Sequence, residues 1–290
     1  LGDVYKRQET ISIAVSLTAL FCGMFVVGAG GLADTYGRVK LTNIGLWLHI
    51  VGSLLVIATS FVPLLLIGRA IQGLSAAAIM PATLAIVKTY YHGKDRQRAL
   101  SFWSIGSWGG SGLASIFGGV VTTFLGWKYI FIFSIIVALT ALFLIKGTPE
   151  TTAHQGNEKK RFDVIGVGLL VLIMLSINII ITQGSKMGWL SIFIICLICF
   201  CIMMAIVFYY FERKYTHPLI DFNLFNNRLY SVATLANFLL NTVAGTHIVA
   251  NTFVQQGLGF SAFKAGMLSI TYLVAVLSIC LLYTSDAADE

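Results

Sequence analysis

Charged residues are scarce in this chain, and their scarcity excludes an ordinary soluble domain. Only 11% of the 290 residues are Asp, Glu, Lys or Arg, whereas 57% are hydrophobic and the mean hydropathy is +0.86. A soluble domain carries roughly a quarter charged residues. Proline is also rare, with 4 in the chain, so little interrupts long helices. The composition predicts an all-α polytopic membrane protein.

Common cofactor and nucleotide motifs are missing as well. Neither a GxGxxG, a P-loop nor a GxSxG pattern occurs, so we expect no enzyme and no ATP-driven pump. The segment "CLICFC" holds Cys196, Cys199 and Cys201 without a second ligand pair, and we therefore expect no metal. The net charge of +7 is not gathered on a soluble face, so no nucleic-acid partner is predicted.

What the chain does contain is a series of long apolar runs. Each run is about 20 residues long, the length that a helix needs to cross a bilayer. There are nine of them, at residues 11–30, 41–60, 64–87, 99–124, 128–145, 164–183, 189–211, 229–254 and 262–283.

The loops between these runs differ in charge. Alternate loops, at 31–40, 88–98, 146–161 and 212–228, hold thirteen Lys and Arg residues, against three in the other set. Basic loops stay on the cytoplasmic side, so the first set is predicted to be cytoplasmic. The same parity places Glu9 outside, which suggests one further helix upstream.

The two ends are unlike the rest of the sequence. "DVYKRQ" and "CLLYTSDAADE" resemble in-frame translations of a transposon-type sequencing adapter. We therefore expect residues 1–8 and 280–290 to be foreign, and the natural part to be an internal fragment of a longer protein.

The stretch "GGLADTYGRVK" links the first two runs on the predicted cytoplasmic side. Its Gly30, Asp34, Gly37, Arg38 and Lys40 resemble the loop signature of the major facilitator superfamily. Asp34 and Arg38 can pair at i, i+4 if the turn is helical. The resemblance implies a gating loop that latches one transport state. The alternative is an ordinary hairpin between two membrane helices, with its basic residues on the cytoplasmic side.

The stretch "LLLIGRAIQGLSAAA", residues 64–78, resembles the fourth-helix signature of the same superfamily. Arginine inside hydrocarbon is costly and marks a candidate functional site. The resemblance implies that Arg69, Gln72 and Gly73 take part in proton coupling. The alternative is that Arg69 extends to the headgroups or bonds a neighbouring carbonyl.

The stretch "GSWGGSGLASIFGG", residues 106–119, resembles the glycine-rich helix of drug/proton antiporters. Gly110, Gly118 and Gly119 match, whereas Ala114 and Ser115 stand where Gly-Pro is expected, which removes a likely bend. The other reading is close helix packing through Gly106 and Gly110.

The loop "HPLIDFNLFNNR" resembles the fourteen-helix drug/proton antiporter branch. Within that branch, the stretches "MFVVGAGGLAD", "SIGSWGGSG" and "IVANTFVQQGLG" resemble the quinolone efflux pumps. This branch carries two helices inserted between two bundles. The resemblance implies an N-terminal bundle at 9–146 (helices 2–6 of the parent), a linker at 147–161, inserted helices at 162–211, a loop at 212–228 and the start of the second bundle at 229–279.

A polar stripe follows one side of the run 229–254. Asn237, Asn241, Asn251 and Gln255 fall close to one line at 100° per residue. They are predicted either to line a substrate cavity or to bond neighbouring helices. No acidic residue lies well inside a visible span; Asp163 and Glu212 are beside cytoplasmic loops.

These features together predict a monomeric, multi-pass transporter of the bacterial cytoplasmic membrane. It would export lipophilic drugs, fluoroquinolone-like or cationic, by proton antiport with alternating access. The energy source would be the proton gradient, with no cofactor. Two alternatives stay open: a proton-coupled importer of a small polar solute, and a non-transporting membrane sensor or scaffold.

Overall fold

Regular structure in the chain is helical throughout the part that the structure describes. This computed structural model describes residues 2–58, 61–152, 162–215, 218–261, 263–267, 270–271, 274 and 278. The long helices are α1 (Gly2–Tyr36), α2 (Arg38–Ala58), α3 (Val62–Tyr90), α4 (Gly93–Ser104), α5 (Gly110–Phe124), α6 (Lys128–Ile145), α7 (Val164–Met187), α8 (Ile192–Lys214) and α9 (Arg228–Gln256).

Six of these helices are long and apolar enough to cross a membrane, which confirms the all-α polytopic class. They are Ser16–Tyr36 within α1, together with α2, α3, α6, α7 and α8. Large apolar side chains are exposed along them, most of all on α6. Such faces suit lipid, because a helix satisfies its own backbone groups and needs no water. The ninth predicted run, 262–283, lies mostly outside the described residues.

Two element boundaries differ from the sequence-based expectation. The predicted loop at 31–40 is almost wholly helical, because α1 continues to Tyr36 and α2 begins at Arg38. Gly37 alone makes the reversal, with a φ of +120° that other residues rarely adopt. The predicted single run at 99–124 is divided by a π-helical turn at Ile105–Gly109. Three glycines in or beside that turn (Gly106, Gly109 and Gly110) weaken the regular helix there.

The chain forms two compact units. The first comprises residues 1–85 and 135–222, and the second comprises 86–134 and 223–290. Each unit combines two separate stretches of the chain, whereas the sequence predicts a first bundle, inserted helices and a second bundle that follow one another along the chain. The predicted domain boundaries stay a prediction.

Within the first unit, α1 packs against α2 and α7, and α7 packs against α8. Among its described residues, three small apolar clusters form the core. They comprise Ala33, Leu41, Ala78 and Ala82; Leu46, Ile50 and Ala138; and Leu170, Ile173 and Phe208. The small residues allow the helix backbones to approach closely, which is the main source of attraction between helices in lipid.

Two helices of this unit, α1 and α3, approach each other closely at Gly73. A Cβ at that position would lie 2.5 Å from the Thr18 carbonyl oxygen and 2.7 Å from the Phe21 Cβ. Thr18 also donates its hydroxyl proton to the Arg69 carbonyl at 3.0 Å. Gly73 therefore sets the distance at which α3 presents Arg69 to α1.

Candidate functional site

The junction between α1 and α2 holds the predicted gating residues. Arg38 donates to Asp34 Oδ1 from its Nε at 2.9 Å and from its second terminal nitrogen at 2.7 Å. This is the i, i+4 pair that the spacing predicts. Gly30 lies against Pro81 of α3, and Lys40 is exposed. The pairing is confirmed, and its role as a gate stays a prediction.

A residue that sequence reasoning did not select completes this junction. Glu150, in the segment after α6, accepts from the Val39 amide at 2.8 Å and from the Lys40 amide at 2.9 Å. The Arg38 amide donates to the Thr151 carbonyl at 3.0 Å. Three of the first amides of α2, which have no partner within the helix, are thus satisfied. The Glu150 carboxylate also lies at the positive end of the helix dipole.

We expect Glu150→Gln to loosen this junction. A neutral amide keeps one acceptor oxygen, but it loses the second acceptor and the negative charge at the helix N-terminus. The expected cost is about 1–2 kcal/mol in folding free energy, seen as a lower melting midpoint of the full-length protein in detergent. Asp95→Asn is the matched control, because Asp95 is an exposed carboxylate in the first turn of α4. An equal effect of the two substitutions would contradict the assignment.

Arg69 belongs to a chain of polar side chains that runs through the first unit. Arg69 donates to Gln72 Oε1 at 3.0 Å, and Gln72 Nε2 donates to Ser53 Oγ at 2.9 Å. Ser53 Oγ in turn lies 3.5 Å from His49 Nε2. Gln72 and Ser53 are buried, and Arg69 and His49 are partly buried. Polar groups that span α3 and α2 in this way are unusual inside a membrane unit and mark a candidate functional site.

Arg69 also reaches α1, where its Nε donates to the Ala14 carbonyl at 3.4 Å. This is the carbonyl contact that the structural alternative expects, so geometry alone does not separate that alternative from proton coupling. Sequence reasoning found Arg69, Gln72 and Gly73 and missed Ser53. The i, i+4 spacing of His49 and Ser53 was the available signal.

The predicted antiporter glycines are in the second unit. A Cβ at Gly106 or Gly110 would meet no atom within 4 Å, and one at Gly118 would only touch Ile130 at 3.8 Å. Among the described residues, Gly106 and Gly110 therefore make no close helix contact of the kind that the packing alternative predicts. Gly119 is buried.

The asparagine stripe of α9 is held by its own hydrogen bonds. Asn241 donates to Asn237 Oδ1 at 2.7 Å, and Gln255 donates to Asn251 Oδ1 at 2.7 Å. Asn251 donates to Ser115 of α5 at 3.3 Å, which is the interhelical bonding that the alternative predicts. Asn237, Asn241 and Gln255 are exposed.

A groove of about 580 Å³ runs along a different face of α9. None of the four stripe residues lines it, and nearly all of its lining is apolar. The described lining residues are Thr242, Gly245, Thr246, Val249, Ala250 and Phe253. The stripe and this groove lie on roughly opposite sides of the helix.

These features define a membrane protein built from packed helices with a charged junction and an intramembrane arginine. The chain matches the Major Facilitator Superfamily over residues 5–212, and it belongs to that family. The members of the family are transporters and not enzymes. The chain is accordingly a multi-pass membrane protein.

Relatives narrow the position within the family. The Quinolone resistance protein NorB of Staphylococcus aureus strain MRSA252 is 63% identical over 268 residues. The proteins of the same name from strains Newman and USA300 are each 64% identical over 268 residues. These alignments cover 92% of this chain and 58% of each relative. The chain thus spans little more than half the length of the curated relatives it matches.

Proposed function

We propose that the protein carrying this sequence exports lipophilic drugs, fluoroquinolone-like or cationic, in exchange for protons. The observation that carries the proposal is the identity of 63–64% to quinolone resistance proteins over 92% of the chain.

The transport cycle that we propose is alternating access, in which two helical bundles rock around a central cavity. The Asp34–Arg38 pair and the Glu150 cap would hold the α1–α2 junction in one state. They are suited to this, because charge-assisted hydrogen bonds are strong and directional, and their loss is discrete. The proton gradient would supply the energy, with no cofactor.

Arg69 is the group that we propose for proton coupling. Its guanidinium stays charged at all accessible pH values, so it would act on a proton carried elsewhere and would not carry the proton itself. The chain Arg69–Gln72–Ser53–His49 gives it a fixed orientation through bonds of 3.0, 2.9 and 3.5 Å. A change of charge near Arg69 would thereby reach α1, α2 and α3 together.

For the drug we propose the polar stripe of α9, namely Asn237, Asn241, Asn251 and Gln255. The amides of Asn237, Asn241 and Gln255 are exposed, and they offer both donors and acceptors to a planar ligand. The internal bonds of the stripe hold these amides in place before a drug binds, which lowers the entropy lost on binding.

The proposal is tested by measuring norfloxacin and ethidium efflux from cells that express the full-length protein. We expect efflux of at least one compound, and we expect a protonophore to stop it. Expression in the membrane is checked by immunoblot, and cells with the empty vector give the background. Efflux that continues without a proton gradient would refute antiport.

If neither compound is exported while the protein is present in the membrane, the drug assignment fails. A carrier for a small polar solute would then be the better reading. Uptake of labelled solutes into the same cells would distinguish that carrier from a protein that transports nothing.

A further inference from the structure

Two buried carboxyl groups meet where α7 begins and α8 ends, and none of the roles above uses them. Asp163 precedes the first turn of α7 and is 4% exposed, and Glu212 lies in the last turn of α8 and is 2% exposed. Carboxylates are almost never so buried without a partner. This burial requires a physical explanation.

Each group accepts a hydrogen bond from a backbone amide. Asp163 Oδ1 accepts from the Gly166 amide at 2.8 Å, which caps the start of α7. Glu212 Oε2 accepts from the Ile220 amide at 3.1 Å, which ties the 218–222 segment to the end of α8. Three segments of the chain therefore meet at the two side chains.

The other oxygen of each carboxyl group points into a shared space. A Cβ on Gly166 would overlap both Asp163 Oδ2 and Glu212 Oε1. Both oxygen atoms crowd the same position beside Gly166, and neither has a donor among the described residues. An ionised carboxylate only accepts hydrogen bonds. A proton shared by the two carboxyl groups would supply the donor that these oxygen atoms lack.

The charged groups nearby that the structure describes do not supply the missing donor. On α7, on the last turns of α8, at the end of α1 and in the described part of the 215–222 segment, the titratable or charged groups are Asp34, Tyr36, Lys186, Tyr209, Tyr210, Arg213, Lys214, Tyr215 and Asp221. Asp34 is bound by Arg38, and Arg213 donates to the Tyr209 hydroxyl at 3.0 Å. Lys214 and Asp221 are exposed.

We propose that Asp163 and Glu212 form a site that binds one proton between them, and that this proton fastens the start of α7 to the end of α8 and to the 218–222 segment. Loss of the proton would leave two negative charges in one buried space, which is strongly unfavourable, and the junction would open to water. The proposal does not depend on drug export.

A metal cation fits this site less well than a proton. Hard cations take about six or more oxygen ligands. Among the described residues no group of three or more His, Cys, Asp and Glu side chains could hold a metal. The other neighbours of the pair are amide donors, which repel a cation.

The proton can be observed directly by infrared spectroscopy of the full-length protein in lipid. We expect a band of a buried protonated carboxyl group at neutral pH that disappears at alkaline pH. The band should be absent in both Glu212→Gln and Asp163→Asn. Asp221→Asn is the control, because Asp221 is an exposed carboxylate in the same region, and it should keep the band.

A second measurement follows the melting midpoint of the same proteins as the pH is raised. The folded wild type holds a proton that the unfolded chain has released, so its stability falls with rising pH, by up to about tenfold in the unfolding constant for each pH unit. In Glu212→Gln the amide donates to Asp163 without a titrating proton, and the dependence should flatten. Asn remains a good helix cap, so Asp163→Asn should also fold.

Three outcomes would overturn the proposal. The wild-type band could be absent at every pH, or it could persist in both single variants, which would assign it to another group. The third outcome is a midpoint that responds to sodium at fixed pH and not to protons, which would identify a cation site. None of these outcomes changes the efflux result, so the proton site and the drug export fail separately.

Discussion

Under the proposed function, we expect Arg69→Ala to reduce proton-driven export strongly in the full-length protein, while the protein still inserts in the membrane. Alanine removes the donor to Gln72 Oε1 and to the Ala14 carbonyl. The buried Gln72 amide then has an unsatisfied acceptor, which costs about 1–3 kcal/mol. That loss weakens the junction of α1 and α3 without unfolding the unit. We expect protonophore-sensitive efflux to fall between about fivefold and about 150-fold, the usual range of a coupling free energy.

Arg69→Lys separates charge from geometry in the same assay. A lysine keeps the positive charge, but its compact ammonium does not reproduce the planar fork that holds two acceptors at fixed angles. Efflux that recovers in the lysine variant would assign the role to charge alone. Arg98→Ala is the matched control, because Arg98 is exposed on α4. Efflux at the wild-type level in Arg69→Ala would leave Arg69 as a packing group.

The parts of the fold that could be predicted from sequence are those fixed by short-range rules. Apolar run length indicates which segments are helices, because a span must be about 20 residues long. The spacing of Asp34 and Arg38 predicts their pairing, because residues at i, i+4 are neighbours on a helical turn. The glycine between them predicts a reversal of the chain. The sequence does not predict that Gly37 makes this reversal alone.

The parts that could not be predicted depend on residues far apart in the chain. Glu150 looks like one more acid in a polar linker, and only the return of that segment to α2, across about 110 positions, makes it a helix cap. Glu212 is followed by Arg213 and Lys214, a pattern typical of an exposed helix end. Its burial follows from the 218–222 segment folding back over it.

The register between neighbouring helices could not be predicted from the sequence either. Sequence places Gln72 one turn after Arg69, but its bond to Ser53 depends on how α3 lies along α2. For the asparagine stripe, the sequence predicts one property and not another. Its alignment on α9 was predictable from the helical period, whereas the choice between a drug and Ser115 as partner of Asn251 depends on the neighbouring helix.

Gly73→Ala disrupts the first unit, and we expect the largest loss of stability from this substitution. The added methyl group would lie 2.5 Å from the Thr18 carbonyl oxygen and 2.7 Å from the Phe21 Cβ. These atoms belong to or adjoin the backbone of α1 and cannot rotate away. Overpacking of this kind costs about 1–3 kcal/mol, and occasionally more. The full-length protein should show a lower melting midpoint and lower export.

Gly23→Ala is the matched control for this effect. Gly23 also lies in a long membrane helix, but a Cβ there would meet no atom within 4 Å. Alanine favours helix over glycine by up to about 1 kcal/mol, so Gly23→Ala should leave the midpoint unchanged or raise it. The same helix preference acts at Gly73, so the difference between the two midpoints isolates the steric term. Equal midpoints would mean that α1 and α3 do not depend on this close approach, and Arg69 would then need another explanation for its position.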